Sequence, residues 1–94
     1  MADEIRVHAT VRGRVQMVGF RAFVLDRAWD LGLRGTVANR PDGSVECVVE
    51  GPREDVERLM ESLRQGPSSA RVESVDVLEQ PARGDLPPMA VSAW

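Results

Sequence analysis

Apolar residues recur at every second position near the start of the chain, where Ile5, Val7, Ala9 and Val11 alternate with Arg6, His8, Thr10 and Arg12. A period of two sends one set to a buried sheet face and the other toward solvent, which predicts a half-buried strand from Glu4 to Arg12. The period then changes. From Phe20 to Leu31, winding at about 100° per residue gathers Phe20, Val24, Ala28 and Leu31 on one stripe. Leu25 and Trp29 widen that stripe, and Asp26, Arg27 and Asp30 fall opposite. Phe23 falls on the polar side too, either as a partly exposed ring or as a wall of whatever binds nearby. Gly32 is positioned to end this helix in a left-handed conformation.

A second strand is expected over Arg34 to Arg40. Pro41-Asp42-Gly43 then reverses the chain, since proline presets a turn dihedral and Asp-Gly accepts positive φ. A third strand, Ser44 to Glu50, shares one face among Val45, Cys47 and Val49. Gly51-Pro52 opens a second helix, with proline at an early position and with Glu54 and Asp55 in the first turn, where acids complement the helix dipole. Val56, Leu59, Met60 and Leu63 keep the i, i+3, i+4, i+7 spacing, and Gly66-Pro67 ends the element. In a further strand, Ala70 to Leu78, the spacing of Val72, Val75 and Val77 breaks strict alternation and predicts a bulge or a change of face. Pro81 to Pro88 reads as a loop. Met89 to Trp94 reads as a short final edge strand, with Pro87-Pro88 tolerated only at its start or edge.

Strand, helix, strand, strand, helix, strand is an α+β order. Two βαβ units joined by a hairpin give a ferredoxin-like two-layer sandwich, βαββαβ, whose right-handed crossovers put two helices on one face of an antiparallel sheet. No repeat, low-complexity tract or linker interrupts the 94 residues, so one domain spanning 1–94 is expected.

Composition removes several classes of function. The net charge is −3, which disfavours nucleic acid and anionic membrane surfaces as partners of the chain as a whole. All 12 basic residues are arginine, read as a compositional bias of the source genome. The single cysteine, Cys47, excludes an intramolecular disulfide and leaves no Cys/His spacing for a zinc site, so neither metal nor cofactor is expected. The acidic start Met1-Ala2-Asp3-Glu4-Ile5 lacks the apolar run of a signal peptide, and no apolar stretch is long enough to span a bilayer. These features point to a cytoplasmic chain, and nothing in them obliges a dimer, so a monomer is expected.

The candidate chemistry lies in Val11-Arg-Gly-Arg-Val-Gln-Met-Val-Gly-Phe-Arg21, which passes from a strand through a glycine-containing loop into a helix. A helix start carries N–H groups without intrahelical partners and a partial positive charge, so a loop entering it can cradle an anion. Arg21 stands near the first helical turn with a planar, permanently charged fork suited to two phosphoryl oxygens. Many strand-to-helix turns carry glycine only for backbone freedom, and on these residues alone a plain structural turn stays open.

The run Gly13-Arg-Val-Gln-Met-Val-Gly-Phe-Arg21 closely resembles the signature of the acylphosphatase family, in which Gly-x-Val-Gln-Gly-Val precedes an aromatic-Arg pair at the helix start. A second block of that family, Gly-x-Val-x-Asn followed by Asp-Gly, is matched by Gly35-Thr-Val-Ala-Asn39 and Asp42-Gly43. The likeness runs from Ile5 to Val77. It implies hydrolysis of a small acyl phosphate to a carboxylate and inorganic phosphate, without metal or covalent intermediate. By that resemblance Arg21 binds the phosphate, Asn39 orients the attacking water, and Val15, Gln16, Met17, Val18, Gly19 and Phe20 complete the phosphate-binding loop with Arg21. The sequence departs from the signature at Met17, where the family has glycine. If that position takes positive φ, a side chain there is strained.

Other ferredoxin-like roles fare less well. RNA recognition needs aromatic residues on the central strands, yet none occurs between Trp29 and Trp94. A metal chaperone needs a Cys-x-x-Cys pair, and there is none. A non-catalytic phosphate-binding or anion-binding module with the same loop and Arg21 stays open. His8 reads as a sheet-face residue, Cys47 as a small core hydrophobe, Gln16 as shaping the loop or bonding its own turn, and Arg12, Arg14 and Arg40 as anion attractors or ordinary surface charges.

Overall fold

In the computed structural model, which describes residues 3–93, the alternating segments become five strands of one sheet. Met1, Ala2 and Trp94, and with them the end of the expected final strand, lie outside the described residues. The elements in chain order are β1 (Glu4–Arg14), α1 (Phe20–Asp30), β2 (Arg34–Asn39), β3 (Val45–Pro52), α2 (Arg53–Gln65), β4 (Arg71–Pro81) and β5 (Ala90–Val91). The sheet order is β4-β1-β3-β2-β5. The first four strands pair antiparallel, as a ferredoxin-like βαββαβ chain requires. β5 lies parallel to β2, which makes the sheet mixed rather than wholly antiparallel.

The core follows from the two periods. Ile5, Val7, Ala9 and Val11 of β1 and Val45, Cys47 and Val49 of β3 are buried on one face, against Phe20, Val24 and Ala28 of α1 and Val56, Leu59, Met60 and Leu63 of α2. Burying a side chain of this size contributes about 1.5–3 kcal/mol, so these stripes supply the main drive to fold. α1 ends as its glycine predicts. Gly32, at φ 66°, lets its own N–H donate to the Trp29 carbonyl at 3.0 Å and that of Leu33 donate to the Ala28 carbonyl at 2.9 Å, which satisfies two end carbonyls. Trp29 departs from expectation. It does not widen the buried stripe but is 57% exposed, because its indole Nε1 turns aside to donate to the Met89 carbonyl at 2.8 Å. Leu31 is half-buried beyond the helix end.

Several boundaries move. β3 extends through Pro52, which serves both as the last strand residue and as the N-cap of α2, and β4 runs three residues past Leu78 to Pro81. The broken alternation in β4 is a bulge. Arg12 pairs with Ser74 but Gly13 with Val72, leaving Glu73 as the extra residue. Gly13 sits opposite this bulge at φ 130°, where a Cβ would collide with the backbone of Arg71 and Glu73. The bulge bends β4 and strengthens the local twist where it pairs with the end of β1.

Residues 82–89 are not an idle loop. Glu50, buried on β3, accepts hydrogen bonds from the backbone N–H groups of Arg83 and Gly84, while Arg6 donates to Asp85 at 2.7 Å. Arg34 Nε then donates to the Leu86 carbonyl, and the Gly35 N–H to that of Pro87, each at 2.8 Å. The segment thus straps the chain from the β4 edge across β1 and β3 to the β2 edge, where β5 begins. Among the described residues no helix is long and apolar enough to cross a membrane.

Gly13→Ala is expected to destabilise the protein by about 2 kcal/mol or more, because the alanine must both hold a glycine-only conformation and displace strand backbone. Urea unfolding followed by circular dichroism checks this, and a midpoint equal to the parent's would refute it.

Candidate active site

The loop of residues 15–19 leaves β1 at one end of the sheet and enters α1 through Gly19, whose left-handed conformation (φ 77°) makes it the helix N-cap. Gly19 offers no capping side chain, and the first turn of α1 contains no acidic residue. α2 differs, with Glu54 and Asp55 in its first turn. The positive end of α1 is therefore left without a negative group of its own. Among the described residues, no backbone carbonyl accepts from the N–H groups of loop residues 16–19.

The loop is held from both sides. The Gln16 amide nitrogen donates to the Arg40 carbonyl at 2.8 Å and to the Ser44 carbonyl at 2.9 Å, so Gln16 reaches across to the β2–β3 turn instead of bonding its own. The Ser69 hydroxyl donates to the Val18 carbonyl at 2.7 Å. Met17 adopts φ 63° with its side chain fully exposed at the apex. The loop thus keeps the left-handed backbone a glycine favours and carries the strain, about 1–2 kcal/mol, at this residue.

Above the loop lies a cavity of about 340 Å3, near the small end of ligand pockets. Val15, Met17, Gly19, Phe20, Arg21 and Asn39 line it, together with Ala22, Leu25 and Val91. Arg21 and Asn39, far apart in sequence, meet here because β1 and β2 flank β3 and end on the same side of the sheet. Among the described residues Arg21 has neither a hydrogen bond nor an ion pair, and it is exposed. Among the described residues nothing donates to the buried Asn39 Oδ1, an arrangement that is costly unless something does. Of the expected loop residues, Gln16 and Val18 do not line the cavity and act on its shape through the contacts above. Ala22, Leu25 and Val91 were not expected as lining. Leu25 had registered only as part of the core stripe and Val91 only as part of an edge strand.

The other candidates fall away from the cavity. His8 Nε2 lies 3.0 Å from Glu46 Oε2 on the sheet face opposite the helices. Arg40 reaches Thr10 at 3.4 Å and Glu46 at 3.7 Å on that same face. Arg12 pairs with Asp42 and Asp76. Phe23 packs beside Phe20 under Arg27 and does not wall the cavity. Cys47 is fully buried, and desolvation, with the neighbouring Glu46 charge adding to it, pushes its thiol up to about 12. A neutral, enclosed thiol is no nucleophile. Among the described residues, no three His, Cys, Asp or Glu side chains gather as metal ligands.

The turn after Asn39 is fixed by Asp42. Its Oδ1 accepts from the Ser44 hydroxyl at 2.6 Å and from the Ser44 N–H at 2.9 Å. These bonds, with Arg12 and Arg40 nearby, hold the Asp42 carboxyl below its ordinary value of 3.8.

The family model for acylphosphatase matches residues 7–87. An acylphosphatase of Nocardia farcinica is 50% identical over 84 residues, covering 89% of this chain and 84% of its own. One from Thermus thermophilus is 54% identical over 72 residues, covering 77% and 82%. The crystal structure of acylphosphatase from Bacillus subtilis superposes with a TM-score of 0.90 at 33% identity, covering 94% of this chain and 98% of that one.

Two outcomes are expected from this geometry. Met17→Gly relieves a side chain held at positive φ but frees the unfolded chain, for a net gain of about 0.5–1 kcal/mol. Hydrolysis of acyl phosphate in that variant equals or exceeds the parent's, and a tenfold loss of turnover would count against the reading. Asp42 titrates lower in the folded state than in the unfolded one, so its stabilisation is complete above its ordinary value and is lost as pH falls through the depressed value. Stability measured by thermal melts should therefore decline below about pH 4 less steeply in Asp42→Ala than in the parent.

Proposed function

The chain belongs to the acylphosphatase family and is an enzyme that hydrolyses acyl phosphates, and from that premise we propose how its own residues divide the work. The Arg21 fork and the N–H groups of loop residues 15–21 bind the phosphoryl oxygens, and Asn39 holds the attacking water. One observation carries this reading: an arginine and a buried amide oxygen, each without a side-chain partner among the described residues, line the same cavity at an uncapped helix start.

Phosphoryl transfer asks little covalent work of a protein, so positioning and charge stabilisation supply most of the catalysis. The neutral Asn39 amide is no general base. Its buried oxygen accepts a hydrogen bond from the water, which turns the water's lone pair toward phosphorus. The water oxygen bonds to phosphorus in line with the departing acyl oxygen. As the bond between phosphorus and that oxygen breaks, its electron pair leaves with the carboxylate. The water's proton passes to an oxygen of the substrate's own phosphate. A carboxylate is already a good leaving group, so no acid catalyst is needed, and the charge on the equatorial oxygens is met by Arg21 and the loop N–H groups rather than by a metal ion.

In the same reading, residues 1–94 act as one catalytic domain, a cytoplasmic monomer with a small acyl phosphate as its partner and neither nucleic acid nor membrane involved. The net charge of −3 supports the last point, since the positive site is local.

The deciding experiment measures hydrolysis of acetyl phosphate in EDTA by the parent, Arg21→Ala and Asn39→Ala, with folding checked by circular dichroism. The parent turns over, and each variant loses about a hundred-fold or more in kcat/KM, the loss typical of removing a charge-stabilising or orienting group. A folded Arg21→Ala with parental activity would sink the assignment. A parent that binds inorganic phosphate yet hydrolyses nothing would make the site a binding module.

A further inference from the structure

We propose that Arg14 and Arg71 act as a pair of positive charges beside the phosphate loop that draws the substrate's phosphoryl dianion toward Arg21, lowering KM without entering the chemistry. The inference rests on Arg21 as the phosphate anchor. Arg14 and Arg71 are the last residue pair of the β1–β4 ladder, and residues directly opposite on such strands have their Cβ atoms about 5 Å apart. Like charges so placed destabilise the pairing. Both arginines are exposed, and among the described residues neither makes a hydrogen bond or an ion pair. Two nearby arginines are engaged elsewhere: Arg12 with Asp42 and Asp76, and Arg40 with Thr10 and Glu46. An anion beside Arg14 and Arg71 offsets the repulsion that the sheet otherwise carries at this point.

Chain connectivity joins the pair to the site. Arg14 precedes Val15, which lines the cavity, so its Cα lies about 4 Å from that of Val15 and at most about 11 Å from that of Met17. Arg71 opens β4 two residues after Ser69, whose hydroxyl holds the Val18 carbonyl of the loop. Both charges are thus placed to act on the loop over roughly one Debye length, about 10 Å at 0.1 M. The chain as a whole carries −3 and repels a phosphoryl dianion, so a local excess of positive charge at the loop favours the encounter. Glu73, exposed at the bulge beside Arg71, opposes the pair. Attraction of this kind acts equally on bound substrate and on the transition state, so it enters KM and leaves kcat unchanged.

The test measures kcat and kcat/KM for acetyl phosphate at ionic strengths of about 0.01 M and about 1 M, where the Debye length is about 30 Å and about 3 Å. It compares the parent with Arg14→Gln, Arg71→Gln, both together, Arg14→Lys with Arg71→Lys, Glu73→Gln and Arg21→Ala, with folding checked by circular dichroism. At the lower ionic strength each single glutamine variant is expected to lose about threefold in kcat/KM and the double variant about tenfold, with parental kcat. The double lysine variant keeps both charges and stays within about 1.5-fold of the parent, and Glu73→Gln gains about twofold. At the higher ionic strength all of these differences shrink to within about 1.5-fold. A folded double glutamine variant that matches the parent at low ionic strength, or whose loss persists unchanged at the higher one, overturns the proposal and leaves the phosphate site intact. Parental activity in Arg21→Ala would instead overturn the reading on which it rests, whatever the salt dependence.

Discussion

The two sequence blocks of the site are joined by one side-chain amide. Gln16 donates to the carbonyls of Arg40 and Ser44, which lie on either side of the β2–β3 turn. These carbonyls are also backbone partners of the turn itself: Ser44 accepts from the Arg40 N–H, and Arg40 from that of Gly43. Any displacement of the turn therefore moves the loop that carries Gly19 into α1, and Asn39 with Arg21. At roughly 0.5–1.5 kcal/mol net each, these bonds are modest as stabilisation. Their importance is geometric, since an error of an ångström between two catalytic groups is costly. Asp42 and Ser44 brace the turn from within.

The fold was legible wherever one face of an element is buried. β1 and α2 each carry an unbroken apolar period, and their buried residues are those the period names, whereas β3 buries Glu50 and Gly51 besides the expected Val45, Cys47 and Val49. Trp29 was misplaced because periodicity counts apolar surface and takes no account of an indole N–H that needs an acceptor. β4 is an outer strand, so Val72 and Val75 pack only partly buried against the core while Val77 is exposed, and the break in their spacing marks the bulge. The strap was illegible for another reason. Residues 82–89 have no period at all, and their order comes from a buried carboxylate 33 residues earlier in the chain.

The site was legible in part. Loop and helix chemistry pointed to an anion near Arg21 from local sequence, but Asn39 entered only through resemblance to a family, because no spacing rule brings a residue 18 positions later to the same place. Topology does so: with β3 antiparallel between them, β1 and β2 run in the same direction and end at the same end of the sheet. Val91 had no local signal. Its place beside Leu25 depends on the sheet edge and on contacts that no window of sequence contains.

The buried thiol of Cys47 has a consequence for chemical durability. Acyl phosphates are activated acyl donors, and amines or thiolates that meet them are acylated. In this chain the only sulfhydryl is enclosed between the sheet and the helices and stays protonated, and every basic side chain apart from His8 is a guanidinium, with no lysine among them. A guanidinium keeps its proton and is a poor nucleophile at neutral pH. The enzyme can thus hold a reactive acylating agent against its surface while offering it neither a lysine amine nor an accessible thiol.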